Sequence, residues 1–162
     1  MNRTERFVFG FYRSLRISDP CQLTIDHVSS AIKLRVQYWD EVSEAVYYKG
    51  RYCVFIDERK SLQQQWQDFG HECCHIFNHA GSQTHMKSSF LRLQEDQAEY
   101  FAKHFCVPWF MLAVMSDLTV FEVANVFNVE HDFARDRLEM YQNNIMGGLS
   151  FNAMLSSATE IR

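Results

Sequence analysis

The sequence predicts an α+β fold in which a small three-stranded antiparallel sheet packs with a pair of long helices, followed by shorter C-terminal helices. Three strand-like segments lie together between residues 35 and 56, and two long segments of helical periodicity come after them. The 162 residues contain only two prolines and six glycines, and no linker, repeat or low-complexity stretch divides them. With 47% hydrophobic and 22% charged residues, the composition is that of a globular protein.

The first third of the chain contains the predicted sheet. Pro20 ends an N-terminal segment, and Ile25–Leu34 is predicted to be a short helix. Aromatic and β-branched residues between turn signals predict three strands, at Arg35–Trp39, Glu44–Tyr48 and Arg51–Ile56. Lys49–Gly50 predicts a hairpin turn between the last two strands.

Two long helices follow the sheet. In Leu62–Phe77, apolar residues recur every three or four positions, which predicts a helix with one buried face. The polar stretch Ala80–Ser89 is predicted to be a loop. A second long helix is predicted from Phe90 to Cys106, because Pro108 lies just past its end.

The C-terminal part predicts two shorter helices, Asp117–Val126 and Asp132–Tyr141, which resemble a helix-turn-helix pair broken at Asn128. Between residues 117 and 141, six acidic residues stand against two arginines, a balance of −4. A surface that follows DNA phosphates needs the opposite charge. We therefore expect no direct nucleic-acid binding here, and a partner-docking or packing role instead.

Charge, hydropathy and cysteine content indicate the cellular compartment in which we expect the protein. The formal net charge is −4, and no segment reaches the roughly 18 apolar residues of a membrane span. The five cysteines are an odd number without the spacing of a disulfide framework. We expect a cytoplasmic protein with reduced thiols and no membrane association.

A metal-binding pattern lies inside the first long helix. His71-Glu72-Cys73-Cys74-His75 matches H-E-x-x-H. Four residues advance a helix by about 400°, so both imidazoles project from one face and can reach the same cation. Glu72 projects about 100° further round, where it can hold a water molecule without binding the metal itself.

The second long helix offers the third ligand that a hydrolytic zinc site needs. Glu95 lies 20 residues after His75, and Glu99 follows it by one helical turn, so both point the same way. Glu95 can therefore bind zinc, while Glu99 can accept a hydrogen bond from the far nitrogen of a ligand histidine.

Together these blocks resemble the ImmA/IrrE family of small metallopeptidases, which pair H-E-x-x-H with E-x-x-A-(N/D)-x-F-A-x-x-(L/M)-x-x-P. Residues 95–108 read E-D-Q-A-E-Y-F-A-K-H-F-C-V-P. Gln64–Gly70 is similar to the family's lead-in to its zinc helix, and Val123–Val129 resembles its A-x-x-F-x-V segment. Cys74 and Glu99 depart from the family pattern, but neither change removes a ligand.

The resemblance implies a gluzincin-like minimal metallopeptidase that holds one Zn²⁺ per chain. His71, His75 and Glu95 would be the zinc ligands, Glu72 the general base, and Glu99 the supporting carboxylate. We expect a metallopeptidase domain (1–115), followed by a helical, helix-turn-helix-like appendage (116–142). Gly147-Gly148 and many small residues predict a flexible tail (143–162).

The activity that the resemblance implies is that of a zinc endopeptidase acting on a protein. Family members serve as anti-repressors of a mobile element or a stress response, cleaving a helix-turn-helix transcriptional repressor. The alternative is a catalytically weak or inactive protease-like regulator, which binds a repressor or another partner without cutting it. An intact Glu72 favours the enzyme.

Two features of the site stay open in the sequence. A further donor would stabilise the oxyanion, and five residues are candidates for it: Tyr47, Tyr48, His79, His85 and Tyr100. A sixth, His104, lies on the opposite side of its helix from Glu95. Cys73-Cys74 could suggest redox sensing or metal binding, but adjacent helical side chains point about 100° apart, which favours packing.

Overall fold

The computed structural model describes residues 1–78 and 88–159, and it confirms the α+β class. Of the predicted loop Ala80–Ser89, positions 80–87 lie outside the described residues, and Ser88 and Ser89 belong to a helix. The helices are α1 (Arg3–Ser14), α2 (Ile25–Ala31), α3 (Leu62–Asn78), α4 (Ser88–Cys106), α5 (Trp109–Leu112), α6 (Val120–Phe127) and α7 (His131–Thr159), and the strands are β1 (Arg35–Trp39), β2 (Glu44–Tyr48) and β3 (Arg51–Asp57).

The sheet is mixed, which corrects the prediction that it is antiparallel throughout. Its strand order is β1-β3-β2, with β1 parallel to β3 and β2 antiparallel to β3. β3 takes the centre because it is the longest strand and carries Val54 and Ile56, which are fully buried. Since the short connection after β1 makes β2 run the opposite way, one of the two pairings with β3 must be parallel.

The predicted hairpin turn joins β2 to β3. Lys49 and Gly50 both have positive φ, 50° and 81°. Two such residues form the tight turn whose twist matches that of the flanking strands. The turn leaves β2 at one edge of the sheet.

The close approach of α3 and α4 depends on Gly70. A Cβ atom at this position would lie 2.7 Å from Cys106 Sγ and 3.3 Å from Phe105 Cδ1. Only glycine leaves room for this contact, because a real Cβ does not come within 3.0 Å of such atoms. Since Gly70 directly precedes His71, the same contact brings the H-E-x-x-H turn of α3 close to α4.

One hydrophobic cluster joins the N-terminal helix, the sheet and the later helices. In α1, the buried Tyr12 donates a hydrogen bond from its hydroxyl to the Phe105 carbonyl oxygen of α4, at 2.9 Å. Buried side chains of α6 and α7, including Phe127 and Leu138, belong to the same cluster. The predicted division between a catalytic domain and a C-terminal appendage stays a prediction.

Helices α6 and α7 meet at Asn128, where the sequence predicts a break. Asn128 adopts the left-handed conformation with φ of 50° and ends α6. In α7, the fully buried Arg137 donates from Nε to the Val107 carbonyl oxygen at 3.0 Å, which ties α7 to the end of α4.

Helix α7 runs on to Thr159, through most of the segment for which the sequence predicts a flexible tail. The backbone of residues 143–159 is helical. The predicted flexibility of this segment stays a prediction. Within the described residues, no helix, α7 included, has the length and apolar character needed to cross a bilayer. The cytoplasmic location also stays a prediction.

Overpacking at Gly70→Ala should cost about 1–3 kcal/mol of the free energy of unfolding. Because alanine contributes roughly 1 kcal/mol over glycine within a helix, we expect a net loss of up to about 2 kcal/mol. Urea denaturation followed by circular dichroism measures the change. Adding Cys106→Ala should restore part of the lost stability, because it removes the nearest clashing atom.

The matched control is Gly10→Ala, also within a helix. A Cβ at Gly10 has nothing within 4 Å. This variant should therefore be as stable as the wild type or more stable. If Gly70→Ala behaved like Gly10→Ala, the helix contact at Gly70 would not be as tight as described.

Candidate metal centre

Helix α3 brings two histidines to one solvent-accessible face. It begins after Ser61, whose hydroxyl accepts a hydrogen bond from the Gln64 backbone N–H at 3.2 Å. His71 and His75 lie one turn apart, and their Nε2 atoms are 3.1 Å apart. Their side chains are 23% and 13% exposed, so both rings are largely covered by the protein but not sealed off from solvent.

Helix α4 adds the carboxylate of Glu95 to this pair. Glu95 Oε2 lies 3.0 Å from His71 Nε2, and Oε1 lies 3.7 Å from His75 Nε2. The Glu95 side chain is 48% exposed, which leaves the centre open on the α4 side. The structure thus brings together the three side chains that the sequence analysis predicts as ligands.

The three side chains fit a tetrahedral zinc ion. With bonds of about 2.0–2.1 Å, neighbouring tetrahedral ligand atoms lie roughly 3.3–3.4 Å apart. The two histidine nitrogens, 3.1 Å apart, and the pair His71 Nε2–Glu95 Oε2, 3.0 Å apart, are slightly closer than that value. The 3.7 Å from His75 Nε2 is measured to the other carboxylate oxygen, Oε1. Two imidazoles and one carboxylate are also a donor set that zinc binds in hydrolytic enzymes.

Glu72 lies beside the two histidines, and the sheet covers it. The possible ligand atoms of His71, Glu72 and His75 all lie within 4.8 Å of one another. Glu72 is buried, and its carboxylate accepts a hydrogen bond from the Ala45 backbone N–H of β2. This contact holds the carboxylate next to the histidines and limits its rotation.

Burial raises the pKa of Glu72 to about 8, and the hydrogen bond from Ala45 opposes the rise. The neighbouring carboxylates of Asp68, Glu95 and Glu44 add to it. A divalent cation beside the carboxylate would pull this pKa down again, because positive charge favours the ionised form. The site therefore concentrates negative charge that a bound cation would offset.

The free edge of β2 borders this carboxylate. Along an antiparallel edge strand, alternate backbone groups point to the neighbouring strand and away from it. Since the Ala45 N–H is directed to Glu72, this N–H points away from β3. A sequence can predict the strand, but it does not show which of its edges stays open.

Sequence reasoning missed the role of Asp68. Its carboxylate accepts hydrogen bonds from Ser43 Oγ at 2.5 Å and from Lys60 Nζ at 2.7 Å. Ser43 Oγ in turn accepts a hydrogen bond from the Asp57 backbone N–H at 3.0 Å. Asp68 therefore ties the start of β2 and the end of β3 to α3, one turn before Glu72. Nothing in the spacing of these residues signals such a contact.

The structure leaves the other predicted site residues without an assigned role. Glu99 is exposed and has no hydrogen-bond or ion-pair partner in the described part of the chain, so its supporting role stays a prediction. Tyr100 Oη accepts a hydrogen bond from Asn2 at 3.0 Å, and His104 is buried. Tyr47 and Tyr48 are exposed on β2, and His79 and His85 lie outside the described residues.

The paired cysteines pack in the core, as the sequence analysis predicts. Cys73 and Cys74 are both buried and free of disulfides. Burial raises the pKa of the Cys73 thiol well above its usual value, which makes it a poor metal ligand or redox group. Cys74 Sγ lies 3.8 Å from the Gln97 carbonyl oxygen and helps to join α3 to α4.

Comparison with known proteins places this site in a family. The family model of the IrrE N-terminal-like domain, a peptidase family, matches residues 27–139, more than half of the chain. The chain is 35% identical over 161 residues to the phage-like element PBSX protein XkdA of Bacillus subtilis strain 168, covering 96% of this chain and 81% of that protein. It is 32% identical over 142 residues to the uncharacterized protein YqaB of the same organism, covering 85% and 83%.

No solved structure matches the chain. The family model spans β1 to β3 and helices α3 and α4, which carry every side chain of the candidate centre. The two relatives extend the likeness over most of the chain. The chain belongs to the IrrE N-terminal-like family of metallopeptidases, also known as ImmA/IrrE.

Proposed function

We propose that this protein is a zinc-dependent endopeptidase that cleaves a protein substrate. The observation that carries the proposal is the convergence of His71, His75 and Glu95 from two helices, with Glu72 beside them. Packing alone does not require two imidazoles and two carboxylates to meet at a solvent-accessible point. A zinc ion bound by three of them, with Glu72 left as a base, accounts for all four.

In the proposed reaction, His71, His75 and Glu95 would bind zinc, and Glu72 would transfer protons. Zinc held by the two histidines and Glu95 would lower the pKa of a water molecule to about 7 and polarise a peptide carbonyl. Glu72 is close enough to accept the proton of the attacking water on its carboxylate oxygen and to pass it to the leaving amine nitrogen. The Ala45 N–H orients that carboxylate for both transfers.

The open edge of β2 supports an endopeptidase rather than an enzyme that trims chain ends. An exposed strand edge can pair with an extended peptide through backbone hydrogen bonds. A peptide bound along β2 would pass Glu72, which already holds the Ala45 N–H, so pairing would use the other outward-facing backbone groups of the strand. Such pairing requires no free end of the peptide. Backbone pairing selects an extended segment and leaves sequence preference to other contacts.

A helix-turn-helix repressor is the substrate class that we propose. This assignment comes from the ImmA/IrrE resemblance, in which such cleavage relieves repression. One relative is named as a protein of a phage-like element, which agrees with a role in controlling a mobile element. The acidic C-terminal helices favour a protein partner over DNA.

We expect the wild-type chain to hold one zinc ion and Glu95→Ala to bind zinc at least about 100-fold more weakly. Removing a group that only supports a ligand usually costs about 10- to 100-fold in metal affinity, so losing a ligand should cost more. Competition with a chromophoric chelator measures the affinity. Asp96→Ala, an exposed carboxylate next along the same helix, is the matched control and should bind zinc normally.

Equal zinc affinity of the wild type and Glu95→Ala would remove Glu95 from the ligand set. Failure of both to bind zinc, with both still folded, would contradict the proposed cofactor. The regulator without peptidase activity would then be the better account.

We expect Glu72→Gln to keep its zinc and to cleave about 10²- to 10⁴-fold more slowly, the usual contribution of a general base. The glutamine keeps the size of the side chain but cannot accept the proton. Incubation of the zinc-loaded protein with purified helix-turn-helix repressors, followed by intact-mass spectrometry, measures cleavage. Asp96→Asn, which changes an exposed carboxylate on α4 that has no role in the proposed site, is the matched control and should keep wild-type activity.

Undiminished cleavage by Glu72→Gln would exclude Glu72 as the base. If Glu72→Gln relieved repression in cells while the repressor stayed full-length, binding rather than cutting would be the function.

A further inference from the structure

A groove at one end of the sheet combines apolar side chains with unpaired positive charge. It has a volume of about 1130 Å³ and lies where β1 and β3 begin and β2 ends. Its apolar part includes Val46, Phe55 and Ile76. The described residues that line it contain four cations, Lys33, Arg35, Lys49 and Arg51, and no carboxylate.

The four cations are exposed and have no ion-pair partner within the part of the chain that the structure describes. Lys49 only approaches the ring of Tyr48, with Nζ 5.0 Å from its centroid. Four other cations, Arg59, Lys60, Lys103 and Arg135, each have a carboxylate oxygen within 2.7 Å. Exposed arginines of α1, such as Arg6 and Arg13, also lack such a partner among the described residues, but they do not line this groove. In a chain of net charge −4, this groove is therefore a local concentration of uncompensated positive charge.

Strand β2 runs between the candidate metal centre and the groove. Ala45 contacts Glu72 at one end of the strand, and Tyr48 lines the groove at the other. Three residues of extended chain separate them by about 10 Å. A peptide bound along the free edge of β2 would therefore reach the groove about three residues from the bond held at the metal centre.

We propose that this groove binds an acidic segment of the protein substrate, in which carboxylates alternate with aromatic or aliphatic side chains. The proposal rests on the proposed endopeptidase and adds a selectivity element to it. Carboxylates of the segment pair with the four cations, and its apolar side chains cover Val46 and Phe55. Such a contact restricts cleavage to proteins that carry this segment near the scissile bond.

The charge distribution favours a peptide over a nucleic acid. The same sheet face carries an exposed carboxylate at its other end, because Glu44 pairs with Phe55 on β3. A polyanion of uniform charge laid across this face would meet that carboxylate. A peptide whose acidic residues lie over the four cations avoids it.

The test measures binding separately from cleavage. The probes are fluorescein-labelled peptides of 12 residues in which glutamate alternates with phenylalanine and leucine, and matched peptides with lysine in place of glutamate. Fluorescence anisotropy gives the affinity of the full chain in EDTA and with zinc. Arg35→Glu/Arg51→Glu alters the groove, and Arg6→Glu/Arg13→Glu on exposed positions of α1 is the matched control with the same change in net charge.

We expect the wild type to bind the glutamate peptides at least tenfold more tightly than the lysine peptides, with or without zinc. Arg35→Glu/Arg51→Glu should lose at least tenfold in this affinity, and Arg6→Glu/Arg13→Glu should stay within about threefold of the wild type. Raising the salt concentration should weaken the wild-type complex, since charge pairs carry it. All four positions are exposed, and thermal unfolding checks that each variant is folded.

Three results would overturn the proposal. The first is equal binding of the glutamate peptides by the wild type and Arg35→Glu/Arg51→Glu. The second is tighter binding of a 12-nucleotide single-stranded RNA than of any acidic peptide, lost in the groove variant. The third is a wild-type dimer in sedimentation that this variant dissociates, which would identify a second copy as the occupant.

The proposal for the groove and the proposal of peptidase activity can be refuted independently. Acidic-peptide binding in EDTA by a protein that never cleaves would refute the peptidase and leave the groove standing. Cleavage of a repressor at the wild-type rate by Arg35→Glu/Arg51→Glu would refute the groove and leave the peptidase standing.

Discussion

The close packing of α3 against α4 at Gly70 is the constraint on which the candidate site depends. A side chain at this position would collide with Cys106 and Phe105, so glycine sets the distance between the two helices. His71 follows Gly70 directly, and at this helix separation Glu95 comes within 3.0 Å of it. A wider spacing would leave two histidines on one helix and a carboxylate on another with no shared point between them. The grouping of these three side chains thus depends on helix packing as well as on the H-E-x-x-H spacing.

The sheet fixes the position of Glu72, which the two helices alone would not do. Helix α3 alone would leave Glu72 free to rotate, whereas the Ala45 N–H of β2 holds its carboxylate beside the histidines. Asp68 binds the start of β2 to the same helix through Ser43. The strand that contacts Glu72 is also an edge strand of the sheet. In the proposed endopeptidase, the position of the base and the binding of an extended peptide would therefore both depend on β2.

The parts of this account that the sequence predicts are those that depend on local spacing. H-E-x-x-H places His71 and His75 on one helical face whatever surrounds the helix, and Glu95 lies on a second helix whose limits are marked by periodicity and Pro108. The strand order could not be predicted in this way, because pairing of β1 with β3 depends on contacts between residues far apart in the chain. The same holds for the groove, since Lys33 and Arg51 become neighbours only when the sheet forms. Glu99 shows that local spacing can also mislead. Its spacing suits a supporting role, yet within the described residues it makes no hydrogen bond or ion pair with either histidine.

The most direct test of the central claim is the position of zinc in crystals of the wild-type protein, located by anomalous scattering at the zinc absorption edge. The account predicts one peak per chain, about 2.0–2.2 Å from His71 Nε2, His75 Nε2 and a Glu95 carboxylate oxygen, with Glu72 outside bonding distance. A peak bound by Glu72 in place of Glu95, or one at a different set of side chains, would contradict it.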